Sequence, residues 1–98
     1  MNRVLIAEDE PRIASFLEKG LKANGYTTLV VSDGVAATAL ANDRDFDILV
    51  LDLGLPLKDG QAVLREIRQR GELLPVLILT ARHGVDNTVA GLEAGADD

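Results

Sequence analysis

The chain has 98 residues, 47% hydrophobic and 27% charged, the size and composition of one globular domain and not of a disordered segment. Sixteen acidic against ten basic residues give a net charge of −6, and the three aromatics are Phe16, Tyr26 and Phe46, which argues against a nucleic-acid surface of its own. The absence of cysteine excludes disulfides and thiolate metal sites, and the longest apolar runs fall far short of the roughly 20 residues needed to span a bilayer.

No secretory leader pattern is present at residues 1–7. The expectation is a single cytoplasmic domain over residues 1–98, with no membrane contact.

Residues 3–7 (RVLIA) form a short apolar run that suits a buried strand, and the acidic stretch Glu8-Asp9-Glu10 follows it. Pro11 is placed for the first turn of a helix, and Ile13, Phe16, Leu17 and Leu21 recur at steps of three and four as its expected buried face. Gly25 is the expected left-handed cap. Residues 27–31 (TTLVV) are β-branched and read as a second strand. After the turn Ser32-Asp33-Gly34, the Ala-rich segment 35–42 reads as a helix.

Residues 46–51 (FDILVL) predict a third strand running into Asp52, and 52–60 (DLGLPLKDG) a loop. Val63, Leu64 and Ile67 mark the next helix, with Arg65, Arg68, Gln69 and Arg70 directed outward and Gly71 behind it. Pro75 precedes a fourth strand over 76–79 (VLIL), ending at Thr80, where a missing donor is tolerated at the entrance. A loop over 81–84 and a last helix carrying Val85, Val89, Leu92 and Ala96 complete the chain.

Strand then helix, repeated, with near-continuous apolar strands, predicts an α/β fold with a doubly wound parallel sheet. Ligands of such sheets bind beyond the carboxyl ends of the strands. Glu8 and Asp9 follow the first strand, Ser32 and Asp33 the second, Asp52 the third, and Thr80 with Ala81 the fourth. If the first, third and fourth strands are neighbours, Glu8, Asp9, Asp52 and Thr80 meet in one shallow pocket. Carboxylates crowded there repel one another and either hold protons more tightly or recruit a cation. An oxygen-only site suits Mg²⁺, or Mn²⁺ in its place. A carboxylate can also act as a nucleophile and form an aspartyl phosphate. The Thr80 hydroxyl and the Ala81 N–H are candidate donors to phosphoryl oxygens.

These residues carry a resemblance. Glu8-Asp9, LVLDLGLP around Asp52, LILTAR with Thr80-Ala81, and GLEAGADD at 91–98 resemble, in order and across the whole chain, the receiver domain of bacterial two-component response regulators. The last stretch is most similar to regulators with a winged-helix DNA-binding domain. The resemblance implies a flavodoxin-like sheet of order 2-1-3-4-5. Asp52 would accept a phosphoryl group from a phosphohistidine of a sensor histidine kinase. Asp9 and Asp52 would bind Mg²⁺ by their side chains, Gly54 by its backbone carbonyl and Glu8 through water. Thr80 would be the switch hydroxyl. The resemblance also implies transcription regulation through a separate DNA-binding domain, and kinase docking on the first helix, whose exposed residues include Arg12, Ser15 and Lys19. It allows a homodimer, with Asp97 and Asp98 at its face.

The sequence departs from that pattern in two places. A fifth strand and helix, an aromatic switch residue and a Lys-Pro pair are not found, so the chain reads as a receiver incomplete at its C-terminus. Lys58 lies on the wrong segment to replace the lysine. Two expectations follow: impaired conversion of phosphorylation into a surface change, and a fourth strand left as an apolar sheet edge open to pairing. Gly54 also stands where the family mostly carries a larger residue, which predicts a more open pocket and faster hydrolysis of the acyl phosphate. The competing classes are a phosphorylation-independent binding module and a Mg²⁺-dependent phosphohydrolase. The second requires an acid two residues after the nucleophile, where this chain has Gly54. A flavin domain requires a polar phosphate loop after the first strand, where Glu8-Asp9-Glu10 would repel phosphate. His83, the sole histidine, reads as a surface residue.

Overall fold

The computed structural model describes residues 2–79. The expectations for Thr80, Ala81, His83, the last helix, Asp97 and Asp98 lie outside the described residues. The described elements are β1 (Arg3–Ala7), α1 (Pro11–Ala23), β2 (Thr27–Val31), α2 (Gly34–Leu40), β3 (Ile48–Asp52), α3 (Gly60–Gln69) and β4 (Val76–Leu79). All pairings are parallel and the strand order is β2-β1-β3-β4, the arrangement expected of the doubly wound fold.

Alternate residues of each strand go to opposite faces, and each face builds its own core. Leu5, Ala7, Leu49, Leu51 and Val76 pack with Ala37, Ala41, Val63, Leu64 and Ile67 of α2, α3 and their flanks. Val4, Ile6 and Val50 face the other way, against Leu17 and Leu21 of α1. The two edge strands of the described sheet depart from continuous burial: β2 leaves Thr27 and Leu29 exposed, and β4 leaves Leu77 exposed.

The helix ends are specified locally. Glu10, Asp33 and Asp59 are the N-caps of α1, α2 and α3, and each side chain accepts a hydrogen bond from a first-turn N–H. Gly25 (φ 89°) closes α1 and Gly71 (φ 90°) follows α3. At the first, Tyr26 N–H donates to Leu21 O and Gly25 N–H to Lys22 O. At the second, Glu72 N–H donates to Ile67 O and Gly71 N–H to Arg68 O. Both are the paired bonds of a Schellman motif, which needs a left-handed residue at that place.

Three expectations are corrected. The buried face of α1 is Ala14 with Leu17 and Leu21, while Phe16 is 77% exposed and Ile13 39% exposed. Residues 14, 17 and 21 share a stripe at steps of three and four, and Phe16 lies well off it. The third strand starts at Ile48, not at 46, because Phe46 N–H bonds back to Asn42 O in a turn. Arg70 does not lie free on a solvated helix face: its guanidinium donates to Thr38 O and Ala41 O and closes the C-terminal end of α2.

This assignment of faces yields a stability contrast. Leu5→Ala, at a fully buried position on β1, should cost about 2–5 kcal/mol. Phe16→Ala should stay within about 0.5 kcal/mol. Urea denaturation of the two variants checks this, and a larger loss for Phe16→Ala would overturn the assignment.

Candidate functional site

Parallel register brings the acids together. Ala7 of β1 is level with Leu51 of β3, so Glu8 and Asp52, one residue further along, emerge side by side. Each is only 3% exposed. Glu8 N–H donates to Val31 O at 3.0 Å, which extends the β1–β2 ladder one residue past the strand. Its Oε2 accepts from Glu10 N–H at 2.9 Å, so the side chain is tied to the turn that starts α1. Asp9 sits on that turn, half-buried.

One oxygen from each of Glu8, Asp9 and Asp52 lies within 4.8 Å of the others. Opposite ligands of an octahedral Mg²⁺ with arms of about 2.1 Å are about 4.2 Å apart. The cluster is therefore close to the dimensions of an ion. Buried carboxylates brought this close are costly without a compensating positive charge. The donors are all oxygens, the set a hard divalent cation prefers. On geometry and chemistry the residues fit such an ion.

The segment after Asp52 is held by several bonds. Gly54 N–H donates to Asp52 Oδ1 at 3.2 Å, a side-chain turn that orients the carboxylate. Gly60 N–H donates to Leu53 O at 2.9 Å. A Cβ on Gly60 would lie 2.6 Å from Asp52 O and Leu53 Cα, so only glycine lets α3 start this close to the acid. Lys58 forms an ion pair with Glu66 of α3, as suits a residue with no expected role at the site.

The structure thus unites Glu8, Asp9 and Asp52 and places Gly54 beside them, while Thr80 and Ala81 are outside the described residues. Asp33, also at a strand end, is committed to capping α2: its Oδ1 accepts from Ala36 N–H at 2.7 Å. Sequence reasoning missed the tight packing at Gly34 and Gly60 and the left-handed Leu57 (φ 68°). The Asp-Gly pairs at 33–34 and 59–60 were the available signal, and they read as turns without revealing what packs against them.

Comparison with known proteins agrees with this geometry. Residues 4–98 match the response regulator receiver domain family. The response regulator protein PmrA of Pseudomonas aeruginosa is 50% identical over 97 residues, which cover 98% of this chain and 43% of PmrA. The transcriptional regulatory protein TctD of Salmonella typhimurium is 46% identical over 96 residues, covering 98% of this chain and 43% of TctD. The chain therefore spans less than half the length of these relatives. Among solved structures, the receiver domain of the sensor histidine kinase PA1611 from Pseudomonas aeruginosa, with a magnesium ion coordinated in its active site cleft, superposes with a TM-score of 0.89 at 31% identity, covering 99% of this chain and 81% of that one. With its sheet order, its acidic cluster and a family match from residue 4 to residue 98, this chain belongs to the response regulator receiver domain family.

Proposed function

We propose that the chain is a phosphorylation-dependent signalling switch in which Asp52 accepts a phosphoryl group from a partner histidine kinase. The observation that carries this reading is the convergence of Glu8, Asp9 and Asp52 within 4.8 Å around a nearly buried Asp52. An Asp52 carboxylate oxygen forms the new O–P bond as the P–N bond of phosphohistidine breaks. The imidazole nitrogen leaves with the electron pair and is protonated from solvent. Asp9 and Asp52 would hold a divalent cation through their side chains, with the Gly54 carbonyl as a further ligand and Glu8 acting through water. Mg²⁺ or Mn²⁺ bound there supplies positive charge against the phosphoryl oxygens. The magnesium in the cleft of the PA1611 receiver supports that choice. The Gly54 N–H bond to Oδ1 leaves Asp52 pre-oriented. By the family resemblance the Thr80 hydroxyl and the Ala81 N–H, both outside the described residues, would donate to the phosphoryl oxygens.

The phosphoryl group moves onto and off this chain's own Asp52, so the chain turns over no outside substrate. Similarity to TctD, a transcriptional regulatory protein, supports a role in controlling transcription, exercised through a DNA-binding domain other than these residues. Kinase docking is assigned to the outer face of α1. There Pro11, Arg12, Ser15, Phe16 and Lys19 line a shallow cavity of about 400 Å³, adjoining the turn that carries Asp9. An exposed aromatic between two cations offers apolar area and charge to a protein partner.

Intact mass after incubation with acetyl phosphate and Mg²⁺ tests the chemistry. The parent should gain one phosphoryl-sized increment and Asp52→Asn none; no gain in either would favour a phosphorylation-independent binding module. Asp9→Asn should weaken Mg²⁺ binding by about tenfold or more in calorimetric titration. Gly54→Met should lengthen the phospho-protein lifetime, and an unchanged lifetime would contradict the open-pocket reading. Phe16→Ala should slow phosphotransfer from a cognate kinase and leave the acetyl phosphate reaction unchanged.

A further inference from the structure

The turn 56–58 packs against the start of α2 more closely than any side chain permits. Gly34 N–H donates to Pro56 O at 3.1 Å, and Lys58 N–H donates to the same carbonyl at 2.8 Å. The second bond closes a three-residue γ-turn around Leu57, whose φ of 68° is an uncommon and costly conformation for a leucine. A Cβ on Gly34 would stand 1.7 Å from Lys58 O, 2.6 Å from Lys58 C and 2.8 Å from Lys58 Cβ. The two nearest of these atoms are backbone and cannot swing aside like a side-chain tip. Gly34 is not among the glycines at positive φ, so its own backbone does not call for glycine. Its first-turn position in α2 would otherwise tolerate alanine, the better helix former. The close approach is what requires glycine here.

The clamped turn belongs to the loop that begins at the acceptor. Between Asp52 and the turn lies Gly54, the source of the expected carbonyl ligand. Gly60 fixes the far end of the loop against Asp52 O and Leu53 O. The Gly34 contact therefore fixes its middle, and displacing Lys58 must displace the chain leading back to Gly54.

We propose that Gly34 is a positioning residue for the cation site: by lacking a side chain it lets the α2 N-terminus clamp the 56–58 turn and so holds the Gly54 carbonyl in register with Asp52. This rests on the reading of Glu8, Asp9, Asp52 and Gly54 as a divalent-cation site. The strained γ-turn persists because α2 over-determines it.

The test is calorimetric Mg²⁺ titration, with the melting temperature of the metal-free protein, for the parent, Gly34→Ala, Leu57→Pro and Ala37→Gly. Leu57→Pro forbids positive φ at an 80% exposed position, so it opens the turn from the loop side without removing a core contact. Ala37→Gly weakens α2 itself at a fully buried site away from the turn. Gly34→Ala and Leu57→Pro should each raise the Mg²⁺ Kd by about tenfold or more, while Ala37→Gly melts lower with the parental Kd. A parental Kd in both turn variants would overturn the proposal, as would an equal loss in Ala37→Gly, which would mark a plain stability effect. If Gly34→Ala does not fold, Leu57→Pro decides. A parent that binds no Mg²⁺ would overturn the cation-site reading and the proposal with it.

Discussion

Carboxylates do not gather in a nearly dry pocket unless something holds them there. In this chain the holding is done by parallel register. With Ala7 level with Leu51, the residues that end β1 and β3 have nowhere to go but beside each other. Glu8 is pinned further by its N–H bond to Val31 and its side-chain bond to Glu10, and Asp52 by the Gly54 N–H. The fully buried Leu5, Ile6, Leu49 and Leu51 of the same two strands anchor the segments that carry these acids. A divalent cation is the charge that such an all-oxygen cluster is suited to hold.

The same packing explains why the site can be stiff at one side. Asp33 and Asp59 cap α2 and α3, and each helix then starts on a glycine pressed against the loop that follows Asp52. Helix starts, loop and Asp52 form one packed unit. The α1 side is built differently: a smaller core under Leu17 and Leu21, with Phe16 left outward beside Arg12 and Lys19. One flank of the site is thereby anchored in the core, and the other leaves an aromatic and two basic side chains exposed on α1.

Much of this was legible in the residues. The bounds of β1, β2 and β4 follow from short apolar or β-branched runs, and Glu8, Asp9 and Asp52 could be placed together once the strands were ordered. Periodicity misplaces Phe16 because it counts large apolar residues and gives no weight to Ala14, the residue α1 actually buries. Phe46 was drawn into β3 because apolarity alone cannot separate a strand from a packed turn. Arg70 looked solvated because its acceptors, Thr38 O and Ala41 O, are some thirty residues away in the chain. The Gly34 and Leu57 contacts were invisible for the same reason: Asp-Gly announces a turn but not the carbonyl lying across it.

The proposed switch depends on a carboxylate oxygen of Asp52 receiving the phosphoryl group. Borohydride reduction of the phosphorylated protein, followed by peptide mapping, tests this directly, because it converts an acyl phosphate to an alcohol and leaves phosphate esters untouched. Reduction should occur at position 52 alone and depend on both a phosphodonor and Mg²⁺. Reduction at another carboxylate, or none in a protein that has gained a phosphoryl group, would contradict the proposed switch.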